Sequence, residues 1–175
     1  QHIEMTRDIA LRFNHYYGNI LSIPEAMIDE KKGIIPGSDG RKMSKSYGNT
    51  IPIFDTSKKL RKAIMKIKTN SLEPGEPKDS LDCSVFKIFQ AFANEDQINS
   101  LKKEYANGIA WGKAKEELFN LLEEKIMPFR NEYEKITQDR DYIENTLKNG
   151  AQKALAISTP IIKEIRRAVG IKEFR

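Results

Sequence analysis

The chain has 175 residues, 31% of them charged and 39% hydrophobic, with a formal net charge of +5. That length holds one domain or two small ones, and the composition suits a helix-rich globular protein with a modest core. Cys83 is the single cysteine, which excludes an internal disulfide, a zinc ribbon or an iron–sulfur cluster held by this chain alone and fits a reducing, cytoplasmic setting. No apolar run reaches membrane-spanning length, and the first residues do not read as a signal peptide. The positive balance suits an acidic partner such as nucleic acid, although a lysine-rich composition explains it equally well. No Met opens the chain and no Ser, Thr, Asp or Asn caps its first helical pattern, so the sequence reads as part of a longer polypeptide.

Ile3, Ala10, Phe13 and Tyr17 fall at helical spacing, which predicts a helix over 1–17 that Gly18 ends. His2 and His15 are too far apart for a metal pair, and His2 reads as a helix-surface residue or as a hydrogen-bonding group near a substrate. Two short apolar runs follow. Ile20, Leu21 and Ile23 stop at Pro24, and Ile34-Ile35-Pro36 lies between Gly33 and Gly37. Both suit short buried strands.

The most informative stretch is Gly37-Ser38-Asp39-Gly40-Arg41-Lys42-Met43-Ser44-Lys45-Ser46-Tyr47-Gly48-Asn49. Its glycines predict a loop, and its cations and hydroxyls suit a polyanion such as a chain of phosphates. It is not a P-loop, because Arg41 and Met43 interrupt the Gly-Lys-Ser/Thr order that motif needs.

Asp55-Thr56-Ser57 offers N-caps for a helix to about Lys66, with Leu60, Ile64 and Ile67 on one face. The opposite face, with Lys58, Lys59, Arg61, Lys62 and Lys66, is either solvated or phosphate-binding. Glu73-Pro74-Gly75-Glu76-Pro77 cannot sit inside a helix and sets an expected boundary, 1–73 and 74–175.

The second part reads as successive helices. Val85, Phe86, Phe89 and Phe92 form an aromatic face, and Asn94 through Gln97 resembles a capping box. Asn107-Gly108 ends that helix. A long helix carries Ala114, Leu118, Leu121, Leu122 and Ile126, with a kink or break expected at Pro128. Trp111 reads as a packing anchor, with base stacking as the alternative. Asp139 opens a helix expected to stop at Asn149-Gly150, and a last helix, distorted or split at Pro160, carries the basic cluster Lys163, Arg166 and Arg167.

Lys42-Met43-Ser44-Lys45-Ser46 resembles the signature loop of class I aminoacyl-tRNA synthetases. The opening Gln1 to Ala10 with Arg12-Phe13-Asn14, the Gly108-Ile109-x-x-Gly112-x-Ala114-Lys115 pattern and the terminal Gly150 to Gly170 stretch resemble the tryptophanyl branch of that family. The resemblance implies a mainly α fold. It would comprise the C-terminal remnant of a Rossmann-like α/β catalytic domain, with one or two short strands and the loop, followed by an all-helical anticodon-binding bundle. It implies ATP with Mg²⁺, tryptophan and tRNA(Trp) as substrates, a homodimeric parent and no membrane. Lys42 and Lys45 would be catalytic. Met43, Ser44 and Ser46 would line the ATP site with them, and Ile35 would touch adenine through its backbone, unless it is an ordinary core residue. Lys163, Arg166 and Arg167 would face tRNA, and no protein metal site is expected. The family's His-x-Gly-His motif has no match here, so the chain alone is expected not to form an adenylate. Two other readings are another class I synthetase sharing the loop and a non-catalytic helical tRNA-binding module. A plain helical interaction domain is the third, and the separate family-like stretches speak against it.

Overall fold

The computed structural model describes residues 1–27 and 34–171. Gly33, expected to bound the second strand, lies outside them. Six α-helices and one 3₁₀ turn make up the described chain: α1 His2–Tyr17, the turn Lys45–Tyr47, α2 Ser57–Met65, α3 Ser84–Phe92, α4 Glu95–Ala106, α5 Trp111–Gln138 and α6 Arg140–Ala168. The chain forms two compact units, one of residues 1–28 with 136–175 and the other of residues 29–135.

The helices start where local chemistry places their caps. The Thr56 hydroxyl accepts from the Lys59 amide at 3.4 Å. Asn94 and Gln97 form a reciprocal capping box, at 2.9 and 3.0 Å. The Asp139 carboxylate accepts from the Tyr142 amide at 2.9 Å. Each satisfies amides that the first helical turn leaves without partners.

Neither expected strand forms among the described residues. Asn14 takes the backbone of the first run: its Oδ1 accepts from the amides of Ile20 and Leu21, and its Nδ2 donates to the Leu21 carbonyl at 2.7 Å. Those groups are thereby drawn to α1 rather than to a sheet neighbour. The second run yields one isolated antiparallel bridge, Pro36 with Lys42. Proline has no N–H to extend a ladder.

The unit of residues 29–135 holds a continuous apolar core. Leu60, Ile64 and Ile67 pack with Val85, Phe86, Ile88 and Phe89 of α3, with Leu101 and Tyr105 of α4, and with Leu118, Leu121, Leu122 and Ile126 of α5. Phe92, expected on the aromatic face, is only partly covered at 36% exposure, and Ile88 is buried beside Val85, Phe86 and Phe89. Trp111 packs against this core as an anchor. Its ring meets Tyr105 edge-on at 5.8 Å, and its Nε1 donates to Asn70 at 3.1 Å.

Packing and the expected 73/74 boundary follow different lines, because this core runs across that boundary. The Pro-Gly segment is stitched to the end of α4. The Gly75 amide donates to the Gly108 carbonyl at 2.8 Å, and the Lys78 amide to the Tyr105 carbonyl at 2.9 Å. The buried Lys78 ammonium donates to the Glu73 and Glu76 carbonyls at 2.8 and 2.9 Å.

Two expected breaks are absent. α5 runs through Pro128, with Ile126 and Arg130 buried on either side of it. α6 runs through both Gly150 and Pro160. Each proline removes one helical hydrogen bond, but both sit at exposed positions, where the carbonyl left over can turn to solvent. Gly150 is not among the glycines with positive φ, so it makes no left-handed stop. No neighbour crowds Gly150, and a mid-helix glycine costs only about 1 kcal/mol relative to alanine.

Candidate functional site

The sequence places glycines where the signature segment must reverse. Gly40 (φ +86°) and Gly48 (φ +63°) occupy the left-handed region open to glycine. The Gly37 amide donates to the Arg41 carbonyl at 2.7 Å, and the Met43 amide to the Ile35 carbonyl at 3.1 Å. These bonds fold 35–43 back on itself. Lys45–Tyr47 then makes a single 3₁₀ turn, closed by the Gly48 amide on the Lys45 carbonyl at 3.1 Å. A loop was expected throughout, and this turn is its one regular piece.

Asn49 sits at the centre and is 2% exposed. Its Oδ1 accepts from the Ser44 amide at 2.8 Å. Its Nδ2 donates to Asp39 Oδ1 at 2.7 Å and to the Lys42 carbonyl at 3.2 Å. Its own carbonyl accepts from the Ser38 amide at 2.9 Å. Gly37 lies so close that a Cβ there would stand 2.4 Å from the Asn49 amide carbon.

Asp39 also accepts from the Arg41 amide at 3.1 Å and from its Nε at 2.7 Å. The hydrogen bond from Asn49, and then those from Arg41, hold the Asp39 carboxyl down at about 2. Arg41 is therefore paired within the loop, and its guanidinium lies 4.4 Å from the centre of the Tyr47 ring.

Lys42 and Lys45 are left exposed, and among the described residues neither forms an ion pair. Ser44 and Ser46 share a hydroxyl contact at 2.8 Å, and Met43 packs against the core beneath. Ile35 is half-exposed, close to the same turn. The structure thus brings together Ile35, Lys42, Met43, Ser44, Lys45 and Ser46. Two exposed ammonium groups beside two hydroxyls can meet a chain of phosphates with charge and with directed bonds.

Lys163, Arg166 and Arg167 are exposed on α6, in the other compact unit. Beside the base of the loop, Lys59, Lys62 and Lys66 line a cleft of about 220 Å³ with Ser38, Gly48, Thr50 and Ala63. Lys59 is paired with Asp55 at 3.0 Å. Among the described residues no group of three or more His, Cys, Asp or Glu could hold a metal ion. Asp39, the acidic side chain of the signature segment, is already occupied by Asn49 and Arg41.

Sequence reasoning missed Asn49 and the Asp39–Arg41 pair. The only local signal for Asn49 was its place after Gly48, which does not reveal its partners up to ten residues away.

Known proteins resemble the chain along its length. The family described as tRNA synthetases class I (W and Y) matches residues 1–126. The tryptophan–tRNA ligase of Pseudomonas aeruginosa is 47% identical over 178 aligned positions, covering all of this chain and 40% of that protein. The tryptophan–tRNA ligase of Neisseria meningitidis is 43% identical, covering all of this chain and 52% of that protein. Tryptophanyl-tRNA synthetase from Campylobacter jejuni, solved with ADP and tryptophan, superposes with a TM-score of 0.74 at 37% identity, over 97% of this chain and 53% of that one. The chain therefore spans about half, or less, of the length of these relatives. The chain belongs to the class I tRNA synthetases of the tryptophan and tyrosine group.

Proposed function

We propose that the chain is the phosphate-gripping and anticodon-side portion of a tryptophan–tRNA ligase, an enzyme that activates tryptophan with ATP and charges tRNA(Trp). The observation that carries this reading is the pair of exposed ammonium groups, Lys42 and Lys45, on a turn whose other charges are paired internally.

In the activation step the tryptophan carboxylate attacks the α-phosphorus in line, and pyrophosphate leaves as AMP is joined to the amino acid. The protein's part is orientation and charge stabilisation. Lys42 and Lys45 stabilise the negative charge that grows on the leaving pyrophosphate, where a preorganised donor is worth about 3 kcal/mol of barrier. Ser44 and Ser46 donate to phosphate oxygens, Met43 holds the turn to the core, and Ile35 meets adenine through its backbone. Mg²⁺ arrives with ATP. With Asp39 engaged inside the turn, phosphate oxygens and water are the ligands that suit it here.

Lys163, Arg166 and Arg167 contact tRNA, and a functional boundary near 73/74 separates the catalytic part from the anticodon part. A homodimeric parent and a cytoplasmic location belong to the same reading. The His-x-Gly-His motif has no match in this chain and tryptophan's pocket lies mostly outside it, so the chain alone forms no adenylate; tryptophan-dependent ATP–pyrophosphate exchange by the isolated chain would contradict that.

The test is Lys45→Ala in the full gene product that carries this chain. Activation should slow by a hundredfold or so while the KM for tryptophan hardly moves, the signature of an interaction made in the transition state. An unchanged activation rate removes Lys45 from its role.

A further inference from the structure

We propose that Asn49 is the positioning residue of the signature loop. It fixes the shape in which Lys42 and Lys45 meet phosphate, and it does so through Asp39. The inference rests on the phosphate-binding reading above and adds a residue outside the Lys-Met-Ser-Lys-Ser motif.

The geometry is that of a latch. One buried carboxamide bonds the loop at three successive points: the Asp39 carboxylate, the Lys42 carbonyl and the Ser44 amide. The last two flank Met43, which is packed down on the core. The backbone on either side of Met43 is therefore held from one centre, and the ammonium groups project from the fixed frame. Binding then needs less ordering of the loop than it would on a free turn. Asn49 uses both ends of its side chain, one accepting and two-fold donating, so no other residue type matches the three partners. The Gly37 backbone covers it so closely that an added methyl would collide with the carboxamide.

This arrangement makes replacement by aspartate a sharp probe. The change keeps the size and the bond from Ser44. It loses both donors and sets a carboxylate against Asp39, whose other neighbour is the Arg41 guanidinium. Two carboxylates at that distance raise one another's affinity for a proton, and the shared proton restores a hydrogen bond between them. The defect should therefore heal as the pH falls.

The experiment titrates the chain with inorganic tripolyphosphate by calorimetry at pH 8.0 and 5.5. It compares wild type, Lys42→Ala/Lys45→Ala, Asn49→Ala and Asn49→Asp, with circular dichroism to check the helices of each. The expected result is about tenfold weaker binding for Asn49→Ala at both pH values, the scale of lost hydrogen bonds to a positioned loop. Asn49→Asp should be weaker still at pH 8.0 and should recover toward wild type at pH 5.5, each ratio being taken at the same pH. If both Asn49 variants bind as wild type does, or if Asn49→Asp shows no recovery, the positioning role through Asp39 is wrong. If the double lysine variant binds as well as wild type, or wild type does not bind, the phosphate reading itself fails and takes this inference with it.

Discussion

Arg130 and Glu123, seven residues apart on α5, form a two-pronged ion pair at 2.8 and 3.1 Å. Arg130 is buried, with 6% exposure, and gives a further N–H to the carbonyl of Ile53 at 3.3 Å. Nearby, Phe54 stacks on Tyr133 with ring centres 5.0 Å apart. The segment that follows the signature loop is thus fastened to the long helix by both a charged and an aromatic contact. Removing the carboxylate should hurt more than removing the guanidinium, because Glu123 retains access to water and Arg130 does not. Glu123→Gln should cost about 3 kcal/mol and Arg130→Met about 1 kcal/mol in urea unfolding. The reverse order would show that the pair is not the fastening described.

Acid should loosen the same region. Arg130 holds the Glu123 carboxyl below its ordinary value, and Asn49 with Arg41 holds that of Asp39 at about 2. A carboxylate with a depressed pKa in the folded state stabilises the fold fully above its unfolded pKa, near 4. It loses that contribution as pH falls through the folded value. The melting temperature should therefore drop between about pH 4 and pH 2, and Glu123→Gln should flatten that drop. A melting temperature that holds or rises on acidification over this range would contradict both contacts.

Gly108 should be the least replaceable glycine among the described residues. It has φ +81°, and a Cβ there would stand 2.3 Å from the backbone carbon of Gly75. Gly75 has φ +93°, with nothing within 4 Å of its own Cβ position. Gly75→Ala should cost about 1 kcal/mol, the ordinary penalty for the left-handed region. Gly108→Ala should cost several times as much, read as the difference in melting temperature. Equal losses would mean that the two backbones do not touch.

Gly150→Ala should stabilise the chain by up to about 1 kcal/mol, because the glycine lies inside α6 in open space. Thermal unfolding followed by circular dichroism checks it. A loss of stability would restore the helix stop that the sequence pattern suggested.

Gly108 and Gly150 also mark the limit of what local sequence carries. Asn107-Gly108 and Asn149-Gly150 are the same dipeptide with opposite outcomes. The first ends α4 because the Gly75 backbone closes on it, with the Gly75 amide bonded to the Gly108 carbonyl. No neighbour lies within 4 Å of a Cβ at the second, and the helix continues. Caps at Thr56, Asn94 and Asp139 were legible because donor and acceptor lie three residues apart. The run Ile20-Leu21 looked like a strand, since only the fold reveals that Asn14 takes its backbone groups. In the site, Lys42 and Lys45 were legible by residue type and spacing. Asn49 was not, because its partners meet it only once the turn has closed.

The role of Lys42 and Lys45 is tested most directly by tryptophan-dependent ATP–pyrophosphate exchange of the full gene product, with Lys42→Ala and Lys45→Ala beside wild type. Wild type should exchange robustly and each variant should fall about a hundredfold, with tryptophan affinity nearly unchanged. Exchange that survives both substitutions at the wild-type rate would contradict that role.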